Sequence, residues 1–328
     1  MEAMTRREFL KGAAAVAGSA VLMNGFNLPK AQAAGADEKL PPRDLLLEGV
    51  CDIHLHLAPD VKARCTDEYN FARRAKAAGY RAVMYKANEW SCHDRAYLIR
   101  RALPDFEVFG SFCMNFTYGD KINVYAAKMA VQTTGKTCRC IWMPTQAAVY
   151  HQKCFGQKGA GIPVTQNRRL LPEVVQVMEL CAENDIIFAT GHSAPEESIL
   201  MAQKAHEMGF NKLVVTHPNT TVWQMTEDEI KRCVDYGAYI EYCYLGRLWG
   251  PGSAMPEYVQ QTGEEFLNYV RIAPERSFIS TDLGQDGMPD PLDGMRACIK
   301  ELQNAGLPQR TIDLLVRKNP AYLIGLEG

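Results

Sequence analysis

The sequence of 328 residues has no CxxC pair, no apolar run long enough to cross a bilayer, no excess of basic charge and no glycine-rich loop after its first strand-like segment. Each absence removes a class of function. Without CxxC there is no thioredoxin-like redox motif and no zinc ribbon, and eleven cysteines scattered through strand-like and helix-like segments are an odd count that does not form a disulfide framework. Most should be buried thiols. Cys138 and Cys140, two apart on one expected strand, should share a face. A formal net charge of −2 offers no basic surface, which argues against nucleic acid and anionic membranes as partners.

The one biased segment is the N-terminus. Thr5-Arg6-Arg7-Glu8-Phe9-Leu10-Lys11 precedes an apolar stretch from Gly12 to Met23, well short of the ~20 residues a spanning helix needs, and Ala31-Gln32-Ala33 fits an A-x-A cleavage site. Arg6-Arg7 with Phe9-Leu10-Lys11 resembles a bacterial twin-arginine signal. We therefore expect a signal peptide over 1–33, passage through the twin-arginine translocon and a periplasmic protein. A polar lead over 34–48 and one catalytic domain over 49–328 should follow.

From residue 49 onward, short β-branched or aromatic runs alternate with longer amphipathic stretches. Eight such pairs can be counted, with strands expected at Gly49-Leu55, Arg81-Lys86, Glu107-Met114, Thr137-Met143, Ile186-Gly191, Lys212-Thr216, Ala238-Tyr242 and Ser277-Thr281. Helical patterns fall between them, including Asp67-Ala78, Leu171-Glu183, Glu196-Met208, Glu227-Tyr236 and Glu257-Ala273, with Gly79, Gly209 and Gly237 as helix stops. Eight βα units in a body of this length predict an α/β fold of the closed (β/α)8 TIM-barrel type, with a parallel sheet. An open doubly wound sheet is the alternative; it calls for a glycine-rich turn where this chain has Asp52-Ile53-His54-Leu55-His56.

The chemistry gathers at the expected strand ends. His54 and His56 close the first strand and, two apart, point to the same side; His192 closes the fifth, His217 the sixth and Asp282 the eighth. A closed barrel brings these ends to one mouth, where imidazoles and a carboxylate suit a divalent ion. His93 and His206 fall outside the pattern and read as packing or solvated residues.

This set of residues resembles the amidohydrolase superfamily. More narrowly, Asp52-Ile53-His54-Leu55-His56-Leu57-Ala58-Pro59-Asp60, Lys86 and Thr281-Asp282-Leu283-Gly284-Gln285 look like an uncharacterised branch of it. The resemblance implies one ion on His54, His56 and Asp282. It gives His192 and His217 either a second ion or, in mononuclear members, a ligating and polarising role at the first. Zinc is the expected metal, one or two ions per chain.

Binuclear members commonly bridge their metals with a carbamylated lysine on strand four, but here that strand ends Trp142-Met143-Pro144-Thr145. Lys86, closing strand two, is the candidate for a displaced bridge, a ligand in that case; it could equally clamp a substrate carboxylate or act as a general acid. Glu89 reads as a helix N-terminal carboxylate. On the resemblance, Asp282 acts as ligand and general base, with His217 and Lys86 as further catalytic residues.

The long connections after strands four and seven supply His151, Lys153, Arg168 and Arg169, then Tyr244, Arg247 and Trp249. Of these, Arg247, Tyr244 and Arg168 are the candidate contacts to an acidic or aromatic small-molecule substrate, with Arg247 the best match to a carboxylate or phosphate by its fork. Cys154 has no His–Asn partner arrangement to make it a nucleophile. The leading function is hydrolysis of an amide, lactone or ester bond. A mononuclear decarboxylase of an aromatic or unsaturated acid is second, and a non-catalytic exported metal- or solute-binding barrel third. A homo-oligomer fits the fold type, without an interface signature in the sequence.

Overall fold

Eight of the chain's apolar runs form parallel strands, and what lies between them folds back as helices. The computed structural model describes residues 39–157 and 159–326; the signal segment expected over 1–33 lies outside them. In chain order the elements are β1 (Cys51–Leu55), α1 (Glu68–Ala78), β2 (Ala82–Tyr85), α2 (His93–Ala102), β3 (Glu107–Cys113), α3 (Val124–Gln132), β4 (Cys138–Trp142) and α4 (Val149–Cys154). A short antiparallel hairpin follows, β5 (Thr165–Gln166) and β6 (Arg169–Leu170). Then come α5 (Pro172–Glu183), β7 (Ile187–Ala189), α6 (Pro195–Glu207), β8 (Leu213–Val215), α7 (Glu227–Asp235) and β9 (Tyr239–Cys243). The chain ends with α8 (Gly263–Val270), β10 (Ser277–Ser280), α9 (Pro291–Asn304), α10 (Gln309–Asp313) and α11 (Asn319–Leu323).

The large sheet runs β1-β2-β3-β4-β7-β8-β9-β10, all parallel, in the order of the sequence. Its two edges meet just beyond the ends of β1 and β10, where Asp282 N–H donates to His54 O and His56 N–H to Leu283 O, both at 2.9 Å. The buried Asp52 carboxylate reinforces the seam, accepting from Thr281 N–H at 3.1 Å and Thr281 Oγ1 at 2.6 Å. This is the (β/α)8 barrel that the alternation of runs predicts.

Two cores follow from the period-2 alternation of strand side chains. Outward residues such as Val83, Tyr85, Phe112, Ile141, Phe188, Val215, Ile240 and Ile279 pack against the helices, while inward ones such as Met84, Phe109, Trp142, Ala189, Val214 and Phe278 fill the barrel. Ala321, Leu323 and Ile324 close the barrel's floor. Among the described residues no helix is long and apolar enough to cross a membrane.

Helix ends follow local chemistry. Asp67 caps α1 through Asn70 N–H, and Gly79 stops it in the left-handed region at φ 106°. The helix expected over Glu257-Ala273 is shorter, because Thr262 and Glu265 form a reciprocal capping box that starts α8 at Gly263. Ahead of it, Gln261 is tied to Asn219, in the loop after β8, by a pair of hydrogen bonds. Cys138 and Cys140 do not share a face: the β3–β4 register slips between Gly110 and Ser111, so Cys138 packs outside the barrel and Cys140 inside. All eleven cysteines are free thiols, and only Cys154 is exposed.

Candidate metal centre

β1 delivers two histidines to the barrel mouth by breaking its own alternation. Its register against β2 shifts between Asp52 and Leu55, and Ile53 lies in the inner core while Leu55 lies in the outer one. Such a bulge re-aims the side chains beyond it, and His54 and His56 converge on one carboxylate oxygen: Asp282 Oδ1 is 3.2 Å from His54 Nε2 and 3.1 Å from His56 Nε2. Asp282 reaches them from a left-handed backbone, φ 57°, an uncommon conformation for a non-glycine residue that clusters at functional sites. Two residues on, Gly284 has φ 122°, and a Cβ there would lie 1.8 Å from His56 O, so only glycine lets the two segments approach.

Glu241, on β9, fixes the orientation of His54. Its Oε1 lies 3.0 Å from His54 Nδ1, and both side chains are fully buried. That leaves Nε2 for another partner, yet Nε2 is buried and makes no hydrogen bond despite the nearby Asp282 oxygen. Two imidazole nitrogens and a carboxylate oxygen in a tight triangle, one nitrogen without a hydrogen bond, are a donor set that fits a divalent cation. The carboxylate behind His54 is the outer partner such ligands usually have.

Beside this triangle stands a second group of imidazoles. His192 follows a turn at Gly191, φ 63°, and His217 has φ 30°, the second non-glycine strand-end residue in a left-handed conformation. Their ring centroids are 5.0 Å apart, and His217 lies 6.0 Å from His54. His151, from α4, closes over them with its Nδ1 2.9 Å from His192 Nδ1. Trp223 packs on His192 at 4.0 Å and His217 at 4.7 Å. Lys86 sits at the end of β2, buried, with Nζ 4.8 Å from the Trp142 ring, and Trp142 also lies 4.8 Å from His54. An indole thus occupies the strand-four end where the resemblance led us to look for a bridging group.

Burial sets the charge state. It holds His54 and His217 down at about 3 and His56 and His192 well below the usual imidazole value, with the Lys86 charge adding to the effect at all four. These imidazoles are therefore neutral at physiological pH, the form that ligates metals. Burial pushes Glu241 up to about 8, helped by the Asp282 charge.

The structure brings together His54, His56, His192, His217, Asp282 and Lys86, but not the three expected substrate contacts. Arg247 donates from Nε to Glu301 Oε1 at 3.1 Å and Tyr244 from its hydroxyl to Glu301 Oε2 at 2.7 Å, so α9 holds both in the outer layer. Arg168 is exposed at the tip of the β5–β6 hairpin, in a surface cavity with Glu196, Glu197 and Glu229. Glu89 lies in the loop before α2, not in its first turn, and accepts from Thr117 Oγ1. His93 is buried at the start of α2 and His206 is exposed.

Sequence reading passed over Glu241, Trp142 and Trp223. Glu241 carried a signal: it is the one acidic residue in the apolar run Tyr239-Ile240-Glu241-Tyr242-Cys243. A cavity of about 310 Å³ opens beside His151, lined by Lys62, Glu89, Asn115, Gln146 and Tyr258 among others.

Comparison with solved structures finds the same fold at low identity. An amidohydrolase from Pseudomonas aeruginosa superposes with a TM-score of 0.56 at 11% identity, over 85% of this chain and 97% of that one. An organophosphorus hydrolase triple mutant from Deinococcus radiodurans gives 0.55 at 13%, over 87% and 98%. A dihydroorotase gives 0.54 at 14%, over 85% and 70%. No curated protein matches the sequence. The profile of a family of unknown function, DUF6282, matches residues 49–241, a span from β1 through Glu241 that includes both histidine groups and Lys86, and the chain belongs to that family.

Proposed function

We propose that this protein is a metal-dependent hydrolase of the amidohydrolase type, acting on an amide, lactone or ester bond of a small molecule. The observation that carries the reading is the triangle of His54 Nε2, His56 Nε2 and Asp282 Oδ1, with Nε2 of His54 buried and without a hydrogen bond. The names of the similarly folded proteins, amidohydrolase, organophosphorus hydrolase and dihydroorotase, are in keeping with it.

His54, His56 and Asp282 would hold the ion, zinc being our first choice for a histidine-rich site. When bound, a divalent cation supplies Lewis acidity, polarising a carbonyl and acidifying water. The chain's own groups do the rest. Asp282, 8% exposed at the mouth, accepts a proton from the attacking water and returns it to the leaving group. Glu241 keeps His54 in one orientation. Lys86 places a buried positive charge beside the reacting region, where it stabilises negative charge developing on the substrate. The 310 Å³ cavity has the size of a small-molecule site, with Phe116, Phe155 and Tyr258 as aromatic walls and Lys62, Asn115 and Gln152 as polar contacts. Export through the twin-arginine translocon to the periplasm, on the strength of Arg6-Arg7 and Ala31-Gln32-Ala33, belongs to the same proposal.

The test is elemental analysis of natively purified protein together with a panel of amide, lactone and ester substrates. Metal in the wild type, turnover on at least one substrate class and loss of that turnover in Asp282→Asn are expected. A metal-free protein of native fold would overturn the reading, and carbon dioxide release from an aromatic acid would replace hydrolysis with decarboxylation.

A further inference from the structure

Two lysines reach the mouth of the barrel without an acidic partner among the described residues. Lys86, at the end of β2, is 3% exposed, and its Nζ makes no hydrogen bond or ion pair with any of them; it lies 4.8 Å from the Trp142 ring. Lys62, in the loop after β1, is exposed and lines the 310 Å³ cavity beside His151. The charged groups around Lys62 are already engaged. Arg64 is held by Asp60, Nη2 to Oδ2 at 2.8 Å, with both side chains 3% exposed. Glu89, in the cavity wall, accepts from Thr117 Oγ1 at 3.3 Å. The Gln146 amide stands between Glu89 and Lys62, donating to Glu89 Oε1 at 3.2 Å and accepting from Lys62 Nζ at 2.7 Å. An ammonium has three N–H donors, so Lys62 keeps two for a ligand.

We propose that the substrate carries an anionic group, carboxylate or phosphate, on an apolar body, and that Lys62 is the residue that selects it. The charges at the mouth support the sign. A buried ammonium without a partner is costly, and a divalent ion on His54, His56 and Asp282 would add to that positive charge. The Lys86 charge bears on His54 and His217 at the centre and on Lys62 and His151 at the cavity, so one positive field spans both. Partial burial, then the Arg64 charge, holds Lys62 below the usual lysine value, and an anion on its Nζ opposes that. The cavity walls support the apolar body. Phe116 and Phe155 are 49% and 36% exposed, and the Tyr258 ring lies 5.8 Å from that of Phe155, surfaces that a ligand in the cavity would cover. Arg247, Tyr244 and Arg168, which the sequence suggested for an acidic substrate, lie elsewhere, and Lys62 takes their place from the loop that follows the first two histidines. Resting on the reading of the mouth as a metal centre, this assigns that centre an anionic substrate.

The experiment is a calorimetric titration of natively purified protein with three probes that share a phenyl body: 3-phenylpropionate, 2-phenylethyl phosphate and the neutral 3-phenylpropionamide. It is run on wild type, Lys62→Gln and Lys62→Arg, with elemental analysis of each preparation. Wild type should bind at least one of the two anions ~10-fold or more tightly than the amide, and the tighter anion identifies the head group. Lys62→Gln should keep its metal and its amide affinity but lose most of the preference for the anion, and Lys62→Arg should restore it. An amide bound as tightly as both anions, no binding of any probe, or a preference that survives intact in Lys62→Gln overturns the inference. Metal content keeps two failures apart. A cavity blind to charge in metal-loaded protein removes the substrate class and leaves the His54 centre standing, whereas metal-free protein of native fold overturns the reading of the centre itself.

Discussion

Replacing Glu241 with Leu measures how much metal affinity is held behind the ligands. The carboxylate sits 3.0 Å from His54 Nδ1 with both groups fully buried, so no water can take over when it is removed. In the metal-free protein burial holds Glu241 up at about 8 and His54 down at about 3, so the pair shares a proton without net charge. A cation at Nε2 reverses this local preference, drawing the proton onto Nδ1 and favouring the carboxylate. Loss of such an outer partner typically weakens metal binding ~10–100-fold, or about 1.4–2.7 kcal/mol.

The metal-free fold should change little in this variant, because two terms oppose: leucine removes a buried carboxyl group, and His54 Nδ1 loses its partner. Glu241→Gln keeps an acceptor without the charge and should fall between wild type and Leu. The assay is Zn²⁺ competition against a chromophoric chelator at neutral pH, with thermal melts of the stripped proteins alongside. Wild-type affinity in the folded leucine variant would refute the reasoning, since His54 would then need no oriented tautomer.

Four further outcomes are expected. Asp282→Asn should remove most turnover while keeping most of the metal, and unchanged turnover against a substrate found for the wild type would remove Asp282 from the chemistry. Stripped of metal, the protein should lose stability as pH falls from ~6.5 towards ~4: the unfolded chain protonates its histidines near 6.5, whereas folded His151 and His217 resist down to about 4 and about 3. A melting temperature constant over that interval contradicts the assignment of neutral buried rings. Gly284→Ala should cost ~1–3 kcal/mol or more in urea unfolding, because a side chain at φ 122° meets His56 O, and an unchanged midpoint would show that the seam relaxes freely. Arg247→Ala should lower the melting temperature through loss of its Glu301 contact without altering metal content; a loss of metal would place Arg247 back at the site.

The eight strands were legible because each is a short apolar run closed by a turn or a helix cap. The order of the runs fixes a sequential parallel sheet once crossovers are right-handed. His54, His56, His192, His217 and Asp282 were legible for the same reason: position at a strand end is a property of the sequence, and a barrel sends all such ends to one face. Lys86 reached the mouth by the same rule. Arg247 and Tyr244 obeyed no such rule, since a loop after a strand can turn inward or outward, and Glu301, 54 residues beyond Arg247, drew both outward.

The sequence by itself determined the barrel, the face that carries the chemistry and the residue types gathered there, because these depend on period, spacing and strand ends. Only the tertiary structure decided which groups stand behind and over the ligands. Glu241 meets His54 across 187 positions and His151 meets His192 across 41. A register slip in β1 turns the first pair of histidines inward, and another in β4 separates two cysteines expected to lie together. A bulge is one residue of backbone and a cross-barrel contact is a consequence of closure, so neither leaves a periodic trace in the chain.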